Sequence, residues 1–234
     1  MSAITALTAQ NTLGVQAIEP VSIGFVRQQI RSVLADIGAD AIKIGMLHSV
    51  EVVVAVTEEL AAYPEIPVVV DPVMVSTSGH QLLEEPAIEA LRATLFPRAM
   101  LITPNLIEAR LLAKTSPDEQ PDLSTLARKL AAANGNRAVL VKGGHLTTDA
   151  YSRDVLLQNG LLTELVEPRV DTQNTHGTGC TLSAAIATYL GFGHSLAESC
   201  RLAKQFLTKA LIAAKSDRIG YGHGPVHWVV LESA

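Results

Sequence analysis

The chain has 234 residues, of which 48% are hydrophobic and 18% charged, and its formal net charge is -5 at pH 7. A chain of this length and composition buries a substantial core, which excludes an unfolded tail. Its acidic balance and the lack of a lysine or arginine block exclude an extended surface for nucleic acid or anionic membrane. The expected partner is therefore a small molecule.

The cysteines and the first residues bear on the compartment. The two cysteines, Cys180 and Cys200, have no metal-binding spacing, and residues 1–8 lack the basic and apolar pattern of a leader or a spanning helix. These features predict a soluble, cytoplasmic protein with no membrane partner.

Short runs rich in β-branched residues alternate along the chain with amphipathic runs. The periodicity predicts strands over 41–45, 68–71, 100–103 and 138–142, and helices over 23–37, 50–62, 87–95 and 123–133. This alternation is typical of an α/β protein with a mostly parallel sheet and helices on both faces. No repeat or change in composition divides residues 1–234, so a single domain is expected.

The second half of the chain departs from this alternation. Asn159-Gly160 separates two strand-like runs, 151–158 and 161–167, and this dipeptide favours a hairpin. An antiparallel edge of the sheet is therefore expected there. Helices are predicted over 180–190 and 196–214, and the polar stretch 76–85 is a candidate lid.

The most informative stretch is Asn174-Thr175-His176-Gly177-Thr178-Gly179-Cys180-Thr181, which opens the first of those two helices. Free backbone N–H groups at a helix start bind anions, so a phosphoryl group is a candidate ligand. Cys180 in the same turn is a candidate proton acceptor. Alternatively, the glycines only make a tight turn and the cysteine packs as a small apolar residue.

Polar and small residues also follow the predicted strands, where parallel sheets form their ligand sites. The motifs are, in chain order, Thr8-Ala9-Gln10-Asn11-Thr12, Lys43-Ile44-Gly45-Met46, Asp71-Pro72-Val73-Met74, Thr103-Pro104-Asn105-Leu106 with Glu108, Lys142-Gly143-Gly144-His145, Asn174 to Cys180, and Gly222-His223-Gly224-Pro225. In this order and spacing the chain resembles the hydroxymethylpyrimidine/phosphomethylpyrimidine kinases of thiamine biosynthesis, which have a ribokinase-like fold. The resemblance implies ATP-dependent phosphorylation of the hydroxymethyl group and then of the monophosphate, and it implies a homodimer.

One difference from the family concerns the N-terminus. Members begin with an additional β-strand and a glycine- and serine-rich loop, and Met1 matches an interior position of the family. The expectation is a kinase domain that lacks this first strand and loop, either because the chain is truncated, because its start was assigned too late, or because the segment has been lost.

The resemblance also implies roles for individual residues. The catalytic set consists of Gly177, Thr178 and Gly179, which would donate N–H groups to the phosphoryl group, and Cys180, which would act as the base. The other implied roles are substrate binding by Gln10, Met46 and Val73, ATP binding by Lys142 and Thr178, and binding of Mg²⁺ by Asp71, Asn105 and Glu108.

Each of these residues also has a structural interpretation. Asn105 and Glu108 have the spacing of a helix capping box, which is compatible with a metal role. The alternatives are that Met46 and Val73 are core residues after a strand, that Gln10 is a turn residue and that Lys142 is a solvated strand end. His176 and His223 are expected to brace their loops, and Cys200 to be a core residue.

Two other functions stay open from the sequence. A pyridoxal kinase of the same fold, or a kinase that accepts both rings, has a substrate of similar size. A pyrimidine-binding module without catalysis is the alternative from another class. A dinucleotide-dependent oxidoreductase is excluded, because no predicted strand is followed by GxGxxG with a downstream acidic residue.

Overall fold

The structure is a computed structural model, and it describes residues 1–74, 82–116, 118–119, 121–135, 138–144 and 150–227. The strands are β1 (Ala6–Asn11), β2 (Gly14–Pro20), β3 (Ile42–Ile44), β4 (Val68–Val70), β5 (Leu101–Ile102), β6 (Ala138–Lys142), β7 (Tyr151–Gln158) and β8 (Leu161–Pro168). The α-helices are α1 (Ile23–Asp36), α2 (Val50–Leu60), α3 (Glu85–Ala90), α4 (Leu106–Leu112), α5 (Leu123–Asn134), α6 (Thr178–Gly191) and α7 (Leu196–Ala214). Most of the predicted lid, 76–81, lies outside the described residues.

Six strands form the main sheet in the order β3-β4-β5-β6-β7-β8. The first four are parallel, and β7 and β8 are antiparallel to their neighbours. The predicted α/β sheet with a hairpin at one edge is thus confirmed. At the other edge, β3 borders a groove of about 760 Å³ that Ile42, Ile44 and Ala187 help to line.

Helices cover both faces of the sheet because successive strand residues point to opposite sides. Val68 and Val70 belong to the core formed with α1 to α5, whereas Val69 belongs to the core formed with α6 and α7. The carboxyl ends of β3 to β6 therefore open at one edge, beside the start of α6. No helix in the described ranges combines the length and the apolar character needed to cross a bilayer.

Three elements differ from the periodicity-based expectations. The hairpin β1–β2 forms a separate two-stranded sheet, and its mostly exposed residues gave no apolar alternation. Helix α4 was expected only as a capping box. The predicted helix 87–95 is α-helical up to Ala90 and continues as a π-helical turn over Leu91–Leu95. It ends in a 3₁₀ turn, Phe96–Arg98, because Pro97 lacks the N–H that a longer helix needs.

Candidate active site

An ion pair joins the ends of two strands of the parallel sheet. Asp71 follows β4 and Lys142 ends β6, and Lys142 Nζ donates to Asp71 Oδ1 at 2.7 Å. Thr103, after the intervening β5, donates to the same oxygen at 3.2 Å. Burial lowers the pKa of Lys142, but the negative charges of Asp71 and Glu108 outweigh this effect and leave the pKa raised. Lys142 is therefore a fixed cation at this edge of the sheet.

The glycine-rich turn starts α6 directly against this ion pair. Gly177 precedes the helix with φ of 83°, a left-handed conformation that glycine adopts without strain. The N–H of Thr181 makes the first helical bond, to Gly177 O at 2.8 Å. The N–H groups of Gly179 and Cys180 precede that bond, so they are among the helix's free donors.

Gly179 has little space above the ion pair. A Cβ added at Gly179 would lie 3.1 Å from Lys142 Nζ and 3.4 Å from Asp71 Oδ2. The helix start therefore approaches both charges closely, and the N–H donors, the lysine and the carboxylate occupy one region. An anionic group beside this contact could meet both the cation and the helix N-terminus.

Thr103 and Ser183 contact Asp71 and were not expected as site residues. The buried Ser183 hydroxyl lies 3.4 Å from Asp71 Oδ2 and also donates to Gly179 O at 3.0 Å. A buried serine one turn after Gly179, in an apolar helix, is the sequence signal that pointed to such a contact.

The two cysteines differ in accessibility. Cys180 is exposed in the first turn of α6, and its charge would be among those that raise the pKa of Lys142. Cys200 is buried, and burial together with the charge of Asp154 raises its pKa to about 12. The expected core role of Cys200 agrees with its position. Cys180 borders a mainly apolar cleft of about 470 Å³ that is also lined by Tyr189, Phe192 and Phe206.

Asn105 and Glu108 form the capping box that their spacing predicts. Asn105 Oδ1 accepts from the N–H of Glu108 at 2.9 Å, and Glu108 Oε2 accepts from the N–H of Asn105 at 2.8 Å. Burial raises the pKa of Glu108 to about 7, with Lys142 opposing that rise and Asp71 adding to it. Glu108 is thus part of the electrostatic surroundings of the ion pair, while the amide oxygen of Asn105 is already engaged.

The residues expected to bind the substrate ring lie at different places around the site. Gln10, exposed on β1, has its Nε2 3.4 Å from His176 Nε2 in the glycine-rich turn. The hairpin is also anchored beside β3, because Thr5 donates from its hydroxyl to Met46 O at 2.8 Å. Val73 is partly buried two residues after Asp71. Within the described ranges, no hydrogen bond joins Gln10, Met46 and Val73 to one another.

The C-terminal glycine-rich segment braces the turn before α6. His176 donates from its N–H to Gly224 O at 3.0 Å, and His223 Nδ1 lies 3.3 Å from Gln173 O. A Cβ at Gly224 would lie 1.9 Å from Asn174 Oδ1, and a Cβ at Gly222 would lie 2.0 Å from Thr12 O. These glycines let the tail, the turn and the β1–β2 hairpin pack together, and both histidines occupy bracing positions.

The chain is similar to known proteins over nearly its whole described length. The family model described as phosphomethylpyrimidine kinase matches residues 1–227. The hydroxymethylpyrimidine/phosphomethylpyrimidine kinase of Salmonella typhimurium is 46% identical over 97% of this chain and 85% of its own length. The thiamine biosynthesis bifunctional protein of Geobacter sulfurreducens is 43% identical over 98% of this chain, which spans only 46% of that longer protein.

Solved structures show the same fold. The phosphomethylpyrimidine kinase of Clostridium difficile has a TM-score of 0.76 at 37% identity, covering 90% of this chain and 86% of that one. The pyridoxal kinase of Staphylococcus aureus in complex with pyridoxal has a TM-score of 0.85 at 29% identity, covering 97% and 81%. These likenesses confirm the predicted ribokinase-like fold. On the family match and the identities together, the chain belongs to the phosphomethylpyrimidine kinase family.

Proposed function

We propose that residues 1–234 form one kinase domain that transfers the γ-phosphoryl group of ATP to hydroxymethylpyrimidine and then to its monophosphate. The observation that supports this most is the close approach of Gly179 to the Lys142–Asp71 pair. A Cβ added at Gly179 would lie only 3.1 Å from Lys142 Nζ. Phosphoryl transfer depends mainly on positioning and on stabilising negative charge, and this edge of the sheet offers a cation and free N–H donors together.

In the first reaction Cys180 acts as the base on the hydroxymethyl group. As the hydroxymethyl oxygen bonds to the γ-phosphorus, the bond from that phosphorus to the bridging oxygen of ADP breaks and the hydroxyl proton passes to the thiolate. The N–H groups of Gly177 and Gly179 stabilise the charge on the transferring oxygens, whereas the N–H of Thr178, expected to do the same, already donates to Thr175 O at 3.3 Å. Lys142 and Thr178 hold the phosphates of ATP. The second acceptor is already a phosphate anion and needs less help from a base.

Magnesium is implied by ATP chemistry. The oxygen atoms of Asp71, Asn105 and Glu108 suit an ion that binds together with the nucleotide. The described residues contain no group of three or more His, Cys, Asp or Glu that could hold a metal ion alone. Mg²⁺ usually keeps several waters and binds through one or two carboxylates plus phosphates. When bound, it would offset phosphate charge. Asp71 and Glu108 are the carboxylates beside the Lys142 ammonium group and would hold the ion. Asn105 is the least available of the three expected ligands, because its side-chain oxygen caps α4.

Gln10, Met46 and Val73 are proposed to contact the pyrimidine ring. The amide of Gln10 can donate and accept hydrogen bonds at the edge of an aminopyrimidine, and its Nε2 lies 3.4 Å from His176 Nε2 in the glycine-rich turn. Met46 and Val73 supply apolar surface for the faces of the ring. The proposal also includes a homodimer, as the resemblance implies, and a cytoplasmic location, as the cysteines and the first residues predict.

The decisive experiment follows ADP release with hydroxymethylpyrimidine, its monophosphate and pyridoxal as separate acceptors. Turnover of both pyrimidines above the rate with pyridoxal is the expected result. Preference for pyridoxal would support the alternative kinase. Binding of the pyrimidines, measured by calorimetry, without any ADP release would support a non-catalytic module and refute the proposal.

A further inference from the structure

A second buried ion pair lies beside the site and takes no part in the chemistry described above. Lys204 of α7 donates from Nζ to Asp154 Oδ2 of β7 at 2.6 Å, and the side chains are 5% and 6% exposed. Burying two charges is costly, and apolar residues of similar volume often replace such a pair without loss of stability. Stability alone is therefore a weak reason for its presence.

The second oxygen of Asp154 reaches the backbone of the site. The N–H of Gly143, the residue after Lys142, donates to Asp154 Oδ1 at 2.9 Å. Lys142 and Asp154 are also partners in the register of β6 and β7. A Cβ at Gly143 would lie 2.1 Å from Arg153 O, so the Gly143 backbone is packed closely against β7.

These contacts form a continuous connection from α7 to the phosphoryl-binding region. Lys204 fixes the carboxylate of Asp154, this carboxylate fixes the N–H of Gly143, and the adjoining Lys142 extends to Asp71 at 2.7 Å. We propose that Asp154 is a positioning residue for phosphoryl transfer: its carboxylate oxygen holds the backbone at Gly143 so that the Lys142 ammonium group stays on Asp71, and Lys204 compensates the buried charge of Asp154. The inference rests on the proposed kinase function.

Two double variants separate positioning from a purely structural role. Lys204→Met with Asp154→Asn removes both charges but keeps an amide oxygen that can accept from Gly143. Lys204→Met with Asp154→Leu removes both charges and that acceptor. We expect the Asn double variant to stay close to the wild-type kcat and the Leu double variant to lose about 10- to 100-fold, as a small displacement of a catalytic group does.

Both double variants are assayed well below the lower of their melting temperatures, so that a difference in folding does not enter the rates. Equal kcat values for the two folded variants would overturn the proposal. If the Leu variant does not fold, Lys204→Met with Asp154→Ala also removes the acceptor and takes its place. Lys209→Met, at an exposed lysine on the same helix, is the matched control and should leave kcat unchanged.

A second readout does not depend on turnover. Calorimetric affinity for MgATP should weaken in the Leu variant and stay near the wild-type value in the Asn variant, because Lys142 is proposed to hold the nucleotide phosphates. A wild-type chain that binds MgATP without phosphorylating either pyrimidine would refute the proposed function, and the affinities would still decide the positioning role. Equal affinities of the two variants would count against it.

Discussion

In the described part of the chain, two lysine–aspartate pairs have nearly the same length but different surroundings, one partly buried and the other fully buried. Lys142 and Asp71 are joined at 2.7 Å, and Lys204 and Asp154 at 2.6 Å. Around the first pair lie the free N–H groups of α6 and the titratable Glu108. The second pair is enclosed between α7 and β7, and the carboxylate oxygen of Asp154 that does not contact Lys204 accepts a hydrogen bond from the backbone N–H of Gly143. The distance within an ion pair therefore does not indicate its function, whereas the groups around the pair do.

The strongest test of this contrast replaces one lysine from each pair. Lys142→Met should lower kcat by about 10²- to 10³-fold, the usual loss when a group that stabilises transition-state charge is removed. Lys204→Met should cost less activity, because Lys204 acts only through the backbone. Both variants leave a buried carboxylate without its cation, so each should lose about 3–5 kcal/mol of stability.

Steady-state rates and urea unfolding of the two variants measure these effects separately. The exposed Lys215 supplies the control Lys215→Met, which should change neither quantity. A kcat for Lys204→Met as low as that for Lys142→Met would contradict the distinction between the two pairs.

The next largest effect concerns pH, because Glu108, a carboxyl group that titrates near neutrality, lies beside the site pair. Burial raises the pKa of Glu108 to about 7 from 4.5, so between these values the folded protein binds more protons than the unfolded chain. The stability contributed by this protonation is complete below pH 4.5 and is lost as the pH rises to 7, with a total of about 3 kcal/mol. Glu108→Gln keeps a capping side chain and should remove this dependence.

Urea unfolding between pH 5 and pH 8 measures this dependence directly. The matched control is Asp122→Asn at the start of α5, since hydrogen bonds from Thr125 lower the pKa of Asp122 and place its effect below this range. If the wild type and Glu108→Gln changed in parallel from pH 5 to pH 8, Glu108 would not titrate as described.

A third test asks whether Cys180, next to the site pair, acts in the first phosphorylation more than in the second. Cys180→Ser should lower the single-turnover rate of the first phosphorylation by about 100-fold, within the range for loss of a general base. The second phosphorylation should lose less, because its acceptor is already anionic. Cys200→Ser is the control at the buried cysteine and should preserve the ratio of the two rates. Equal losses in both steps for Cys180→Ser would remove Cys180 from the role of base.

Much of this arrangement could be predicted from the sequence, and the exceptions have physical causes. The parallel sheet followed from apolar periodicity, and the motifs at the strand ends pointed to Asp71, Lys142 and Gly179, which the fold brings together. Strand lengths were overestimated because the apolar runs extend past the last ladder bonds. The hairpin β1–β2 was missed because it buries little surface and so has no apolar alternation.

The Lys204–Asp154 pair was missed because its members are 50 residues apart and no periodicity connects them. One signal was present. Asp154 lies two residues before the buried Leu156 on β7, so it faces the same side of the sheet as an apolar residue. A charged residue in that position requires a buried partner.

The smallest expected effect tests how closely α6 approaches the site pair. In Gly179→Ala the new methyl group would meet Lys142 Nζ at 3.1 Å and Asp71 Oδ2 at 3.4 Å, so the ion pair must shift by a few tenths of an ångström. We expect kcat to fall by about 10-fold, well below the cost of a 1 Å misplacement. Stability should hold or rise slightly, because alanine favours a helix over glycine by about 0.5–1 kcal/mol.

Gly24 offers the matched control, since it lies in α1 with no atom within 4 Å of an added Cβ. Gly24→Ala should raise the melting temperature and leave kcat unchanged, because the same gain in helix propensity occurs far from any charge. Comparing the two variants by steady-state rates and thermal unfolding isolates the contact with the ion pair from the effect on the helix. An unchanged kcat in Gly179→Ala would mean that α6 can withdraw from the Lys142–Asp71 pair without cost, and that the close approach is not what the phosphoryl group requires.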